Sequence, residues 1–149
     1  MSTVLPRVTP RKALPREVTP LSLSAAQRSS THMIASLLLD YPDAEWFARL
    51  SVVREGLRGL PAQIVEPIAV FVDAAEAAGS TEWQRRYVTT FDLKRKCSLY
   101  LSYYATGDPR KRGTALVTFL EAYRAAGWEF DAPELPDYLP AVLEFSAVS

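Results

Sequence analysis

The chain has 149 residues, 48% of them hydrophobic, and its 17 basic side chains balance its 17 acidic ones. That is enough apolar material for one domain with one core. One cysteine (Cys97) and one histidine (His32) exclude an intrachain disulfide, a cysteine-based metal cluster and a histidine-rich metal site. Zero net charge speaks against bulk attraction to a polyanion.

Residues 1 to 20 carry prolines at 6, 10, 15 and 20 and a net charge of about +3. Each proline removes a backbone donor and pushes its predecessor away from helix, so this segment is expected to be a disordered arm. It lacks the apolar stretch of a secretory signal, and no run approaches ~18 consecutive apolar residues. The expectation is a cytoplasmic protein with no membrane span.

From residue 21 the pattern is helical, and residues 21 to 149 are expected to form one domain. Ser24 and Gln27 make a capping box, and Ile34, Leu37, Leu38 and Tyr41 share one face before Pro42. His32 reads as a helix-face residue. Asp43 is a capping type and opens a second helix with Trp46, Phe47, Leu50, Val53 and Leu57 on one side. A third helix, from Ala62 to Ala78, carries Ile64, Ile68, Phe71, Val72 and Ala75, with Pro67 near its first turn and Gly79 as its stop. The fourth starts at Thr81 and places Trp83, Tyr87, Val88 and Phe91 in register.

The stretch that follows is unusual. Two basic triplets, Lys94-Arg95-Lys96 and Arg110-Lys111-Arg112, flank Tyr100, Tyr103 and Tyr104; residues 84 to 112 hold about +6, which with the +3 of residues 1 to 20 leaves about −9 on the rest of the chain. Two readings compete. Basic residues mixed with aromatics suit a nucleic-acid-binding helical module. Periodicity suits a buried helix face, Leu99 with Tyr103 or Tyr100 with Tyr104, and triplets as its solvated ends. Asp108-Pro109 then starts a helix with Leu116, Phe119, Leu120 and Tyr123 as its stripe and Gly127 as its end. The tail "ELPDYLPAVLEF" opens another helix, with Asp137 or the prolines near its start. No strand-like alternation of useful length occurs. The expected fold is all-α, a compact single-domain bundle of about six or more helices. The last apolar run lacks a capping stop, which predicts that the chain is short for its kind or lacks C-terminal helices.

Enzyme chemistry finds little support. The six glycines fit no phosphate-cradling pattern, no nucleophile motif accompanies His32, and no carboxylate pair stands out. Cys97 beside Lys96 is the usual small packed residue.

Taken together, "YVTTFD", "SLYLSYYATGDPRKRG.AL" and "ELPDYLPAVLEF" resemble the nitrate reductase delta-subunit family. These are the NarJ-type molybdenum-cofactor assembly chaperones, related to the TorD- and DmsD-type redox-enzyme maturation proteins. The resemblance implies a non-catalytic chaperone with no cofactor or metal of its own. Its implied partner is the N-terminal segment of the apo catalytic (alpha) subunit of respiratory nitrate reductase, alone or in the alpha-beta complex. That subunit is held open for insertion of molybdenum cofactor and an iron-sulfur cluster before membrane docking. Residue by residue, Tyr87, Phe91 and Asp92 match "Y..FD", and Ser98 to Leu101 with Tyr104 match "SLYL..Y". Gly107, Asp108, Arg110, Arg112 and Gly113 match "GD.R.RG", and Glu134 to Pro140 match "ELPDYLP". Tyr138 stands where the wider set has a hinge histidine, which speaks against a nucleotide role. The resemblance then makes Tyr87, Phe91, Tyr100, Tyr104 and Tyr138 the expected lining of a client groove. Asp92, Asp108, Glu134 and Asp137 are its expected acids, and Arg110 and Arg112 its expected bases.

Overall fold

The structure is a computed structural model that describes residues 19–105 and 108–149. The expected disordered arm therefore lies outside the described residues except for its last two positions. Eight α-helices are present, and no strand occurs among the described residues, in agreement with the all-α expectation. No helix there is long and apolar enough to cross a membrane.

Helix α1 (Ala25–Leu38) starts on the expected capping box: Ser24 Oγ accepts the Gln27 amide at 3.1 Å, and Gln27 Oε1 accepts the Ser24 amide at 2.9 Å. Asp43 caps α2 (Ala44–Ala48) by accepting the Trp46 amide at 2.9 Å. The single helix expected beyond Asp43 is in fact two. Arg49 flattens to ψ −10°, its amide shared between the Glu45 and Trp46 carbonyls, and α3 (Leu50–Gly56) begins at the next residue. Trp46, Leu50 and Val53, spaced for one helix face, are all buried.

Helix α4 (Ala62–Ala78) carries Pro67 on its exposed side and ends at Gly79, whose φ of 81° is the left-handed conformation that favours glycine. Helix α5 (Ser80–Tyr87) follows at once. Beyond a connecting segment come α6 (Ser102–Ala105), α7 (Pro109–Ala125) and α8 (Leu139–Val148). Asp108 caps α7 as expected, accepting the Arg110 amide at 2.9 Å.

The apolar core lies among α1 to α4 and is made of Ile34, Leu38, Trp46, Leu50, Val53, Leu57, Val72 and Ala75, with Phe47, Ile68 and Trp83 against it. Each large side chain fully buried there contributes ~1.5–3 kcal/mol. Helices α1 and α3 approach so closely that a Cβ on Gly56 would sit 3.3 Å from Ile34 Cδ1. Helix α8 returns along α1. There the buried Ser36 hydroxyl donates to the Pro140 carbonyl at 2.6 Å, and His32 Nδ1 lies 2.9 Å from Ser146 Oγ, a structural place for the lone histidine. A smaller aromatic cluster joins α7 to α8, with Tyr123 stacked on Phe130 and edge-on to Phe145.

Candidate functional site: an aromatic cavity at the junction of three motifs

The expected helix through Phe91 changes character at Val88. Residues Val88–Asp92 form a π-helical turn, closed by the Leu93 amide on the Val88 carbonyl at 3.1 Å. Such a turn inserts an extra residue into the helix and re-aims the side chains after it. Here it brings Phe91 beside Tyr87, ring centroids 4.8 Å apart. The Tyr87 hydroxyl donates to the Leu39 carbonyl at 3.1 Å and so fastens α5 to the end of α1.

The next two motifs meet through backbone rather than helix packing. The Leu139 amide donates to the Leu99 carbonyl at 2.7 Å and the Leu101 amide to the Asp137 carbonyl at 3.1 Å, making an isolated antiparallel bridge between Tyr100 and Tyr138. The two rings lie 5.4 Å apart, tilted by 40°. Asp137 fixes this junction from inside. Its side chain is 0% exposed, and Oδ2 accepts the Ser102 amide at 2.8 Å. The hydroxyl of Ser102, itself 1% exposed, accepts Arg112 Nε at 3.0 Å from α7. Tyr123 reaches across from α7 and donates to the Pro136 carbonyl at 2.7 Å. An aspartate beside a serine amide works here as a cap does at a helix start, except that its two partners are 35 residues apart.

Between these elements lies an open cavity of about 390 Å³. Tyr87, Phe91 and Asp92 form one wall, Tyr100 and Tyr103 the second, and Glu134 and Tyr138 the third. Lys94 and Arg95 stand at the same cavity. Burial raises the hydroxyl pKa values of Tyr87, Tyr100 and Tyr138 above the ordinary phenol range, most for Tyr138, where Tyr87 and the nearby Asp40 and Glu134 add to the effect. These phenols therefore stay protonated at neutral pH. They offer hydrogen bonds and ring faces rather than a base.

Six of the eleven expected site residues meet at this cavity: Tyr87, Phe91, Asp92, Tyr100, Glu134 and Tyr138. The other five do not line it. Tyr104 is 55% exposed, and its hydroxyl donates to the Ser98 and Lys96 carbonyls at 2.7 and 3.1 Å, bracing the 3₁₀ turn at Arg95–Cys97. Asp108 and Arg110 sit at the start of α7, and Arg112 is engaged by Ser102. Asp137 corrects the expectation most sharply: a side chain with no accessible surface presents nothing to a partner, and its carboxylate is used inside the fold. Gly107 lies outside the described residues. The helix-face reading of Leu99 to Tyr104 is also replaced, since Leu99 is buried by a backbone bridge and Tyr103 and Tyr104 stay exposed.

Sequence reasoning did not assign Lys94, Arg95 and Tyr103 to the site. Their proximity to Tyr100 in the basic and aromatic stretch was the available signal. Asp92 and Glu134 share the cavity with Lys94 and Arg95, so this surface lacks the single sign of charge that phosphate binding uses. No group of three or more potential ligands for a metal ion occurs among the described residues.

Comparison with known proteins places these motifs. The family described as "Nitrate reductase delta subunit" matches residues 57–148. The chain is 34% identical over 132 residues to the "Probable nitrate reductase molybdenum cofactor assembly chaperone NarJ" of Bacillus subtilis (strain 168), covering 85% of this chain and 70% of that protein. It is 32% identical over 118 residues to the "Nitrate reductase molybdenum cofactor assembly chaperone NarJ" of Escherichia coli (strain K12), covering 77% and 50%. It is 35% identical over 113 residues to the "Nitrate reductase-like protein NarX" of Mycobacterium tuberculosis (strain ATCC 25618 / H37Rv), covering 76% of this chain and 17% of that protein. The chain thus spans half of the Escherichia coli relative and about a sixth of the mycobacterial one.

Proposed function

The chain belongs to the nitrate reductase delta-subunit family, and from that membership and the cavity we propose that it is a dedicated assembly chaperone rather than an enzyme. Its client is the N-terminal segment of the apo catalytic (alpha) subunit of respiratory nitrate reductase, free or already joined to the beta subunit. Occupying that segment in the cytoplasm keeps the subunit open while molybdenum cofactor and an iron-sulfur cluster are inserted, and delays membrane docking until both are in place. Residues 21 to 149 act as one binding domain in this reading.

One observation carries the proposal: two neighbouring motifs and a third from much later in the chain converge on one aromatic cavity. A client helix lays its apolar face on rings of this kind, and charges at the rim set its register. Tyr87, Tyr100 and Tyr138 supply flat faces and neutral hydroxyls, and Asp92 and Glu134 supply partners for client arginine or lysine.

The test is calorimetric titration of the full chain with a synthetic peptide of the cognate catalytic subunit's N-terminus, at two salt concentrations. Saturable binding at both is expected, with Tyr100→Ala weakening it by about 2 kcal/mol, roughly thirtyfold. Tyr103→Ala, at the cavity's exposed edge, is expected to cost less. Absence of binding, or tight binding to duplex DNA or RNA that collapses with salt, contradicts the proposal and favours the nucleic-acid module.

A further inference from the structure

The central cavity shares its walls with two neighbours of opposite character. Tyr87 and Phe91 also border a cavity of about 220 Å³ formed with Leu38, Phe71, Trp83 and Thr90. Apart from Arg86 and the tyrosine and threonine hydroxyls, its lining is apolar. On the other side, Glu134 and Tyr138 border a cavity of about 330 Å³ that also has Asp40, Asp43, Glu45 and Arg49 in its wall. The three adjoin through these shared residues, and their linings run from apolar, through mixed, to acidic; we treat the series as one trough.

The acidic end is incompletely compensated. Four carboxylates face one resident cation, Arg49, which is already 3.3 Å from Glu45. Asp43 accepts the Trp46 amide, whereas Asp40 is half-buried, its carboxyl held above the usual carboxylate range by burial first and by Glu134, Glu144 and Asp43, against the opposing pull of Arg49. Charge kept at such a cost, in a wall with one cation already engaged, is a mark of a site that takes a further cation. A polypeptide with lysine or arginine brings one. Lys94 and Arg95 at the central cavity repel such a cation and leave the acidic end as its place.

We propose that the acidic cavity takes a lysine or arginine side chain of a helical segment whose apolar anchor occupies the Phe71 and Trp83 cavity, so that the trough fixes the direction in which the segment lies. The inference rests on the client-site reading of the central cavity and adds its polarity.

Two designed amphipathic peptides test it with the full chain. Both carry leucine anchors in one half; in the other half the first has arginines and the second glutamines at the same positions. The unaltered protein is expected to prefer the arginine peptide by about tenfold. Asp40→Asn and Glu134→Gln are each expected to reduce that preference severalfold without weakening the glutamine peptide. Phe71→Ala is expected to weaken both peptides alike. Asp40→Asn removes a charge the fold holds at a cost, so a loss of preference there is not a loss of folding. Equal affinity for the two peptides, equal weakening of both by Asp40→Asn, or binding of neither overturns the inference. If the cognate N-terminal peptide still binds in those cases, only the polarity falls; if it fails too, the client-site reading falls with it.

Discussion

The core among α1 to α4 and the corner formed by residues 98–102 and 135–139 are held by different physics. In the core, Leu50, Val53 and Val72 meet through side chains spaced for one helix face, and the backbone is satisfied within each helix. In the corner, regular structure is almost absent. Burial there belongs to Leu99, Ser102, Pro136 and Asp137, and order comes from the Asp137 carboxylate on the Ser102 amide, the Tyr123 hydroxyl on the Pro136 carbonyl, and two backbone bonds. The first arrangement tolerates an exchange of one apolar residue for another of similar volume. The second depends on particular atoms, and it is the one that positions Tyr100 and Tyr138.

Breaking each region should therefore look different. Leu50→Ala in the core is expected to cost about 3 kcal/mol in stability, read by chemical denaturation, with cavity residues unchanged in the surviving folded fraction. Asp137→Ala strands the Ser102 amide, and a loss of about 1–3 kcal/mol is expected. Unlike the core variant, it should also weaken client-peptide binding under conditions where the protein is fully folded. Rescue of that binding by Asp137→Asn, which keeps an acceptor oxygen, would sharpen the assignment of Asp137 as a positioning residue. Tyr123→Phe removes one hydroxyl and leaves the Pro136 carbonyl unpaired, for about 1 kcal/mol.

What could be read from the sequence divides along the same line. The apolar periodicity of Ile34 to Leu38, Leu50 to Leu57 and Ile64 to Ala75, with caps at Ser24, Asp43 and Asp108, was sufficient to place the helices of the core and the start of α7. It did not reveal the interruption at Arg49, because helical dihedrals persist there and no glycine or proline marks it. Nor did it reveal the π-helical turn, since Val88 to Asp92 continue a helical pattern with one extra residue in the ring. In the corner, the motifs named the right neighbourhood but not the roles. Asp137 reads as an exposed acid by residue type, and only its pairing with Ser102, 35 positions away, makes it interior.

The smallest expected effect lies at the acidic end of the trough. The Asp40 carboxyl is raised above its unfolded value of 3.8, so the folded state holds the proton more tightly. Ionisation therefore costs stability, which is lost as pH rises through the folded value and stays lost at neutrality. Asp40→Asn should stabilise the protein at pH 7 by less than about 1 kcal/mol, screening included, and the gain should disappear below pH 3.8. Thermal unfolding at the two pH values checks both sign and window. A destabilised variant at pH 7 would mean that Asp40 makes a favourable interaction in the fold.

The most direct measurement of the central claim is hydrogen-deuterium exchange of the full chain with and without the cognate N-terminal peptide. Protection concentrated in residues 87 to 103 and 134 to 139 is predicted, with little change on the exposed faces of α3 and α4. Protection confined to those helices, with the corner exchanging as before, would contradict it.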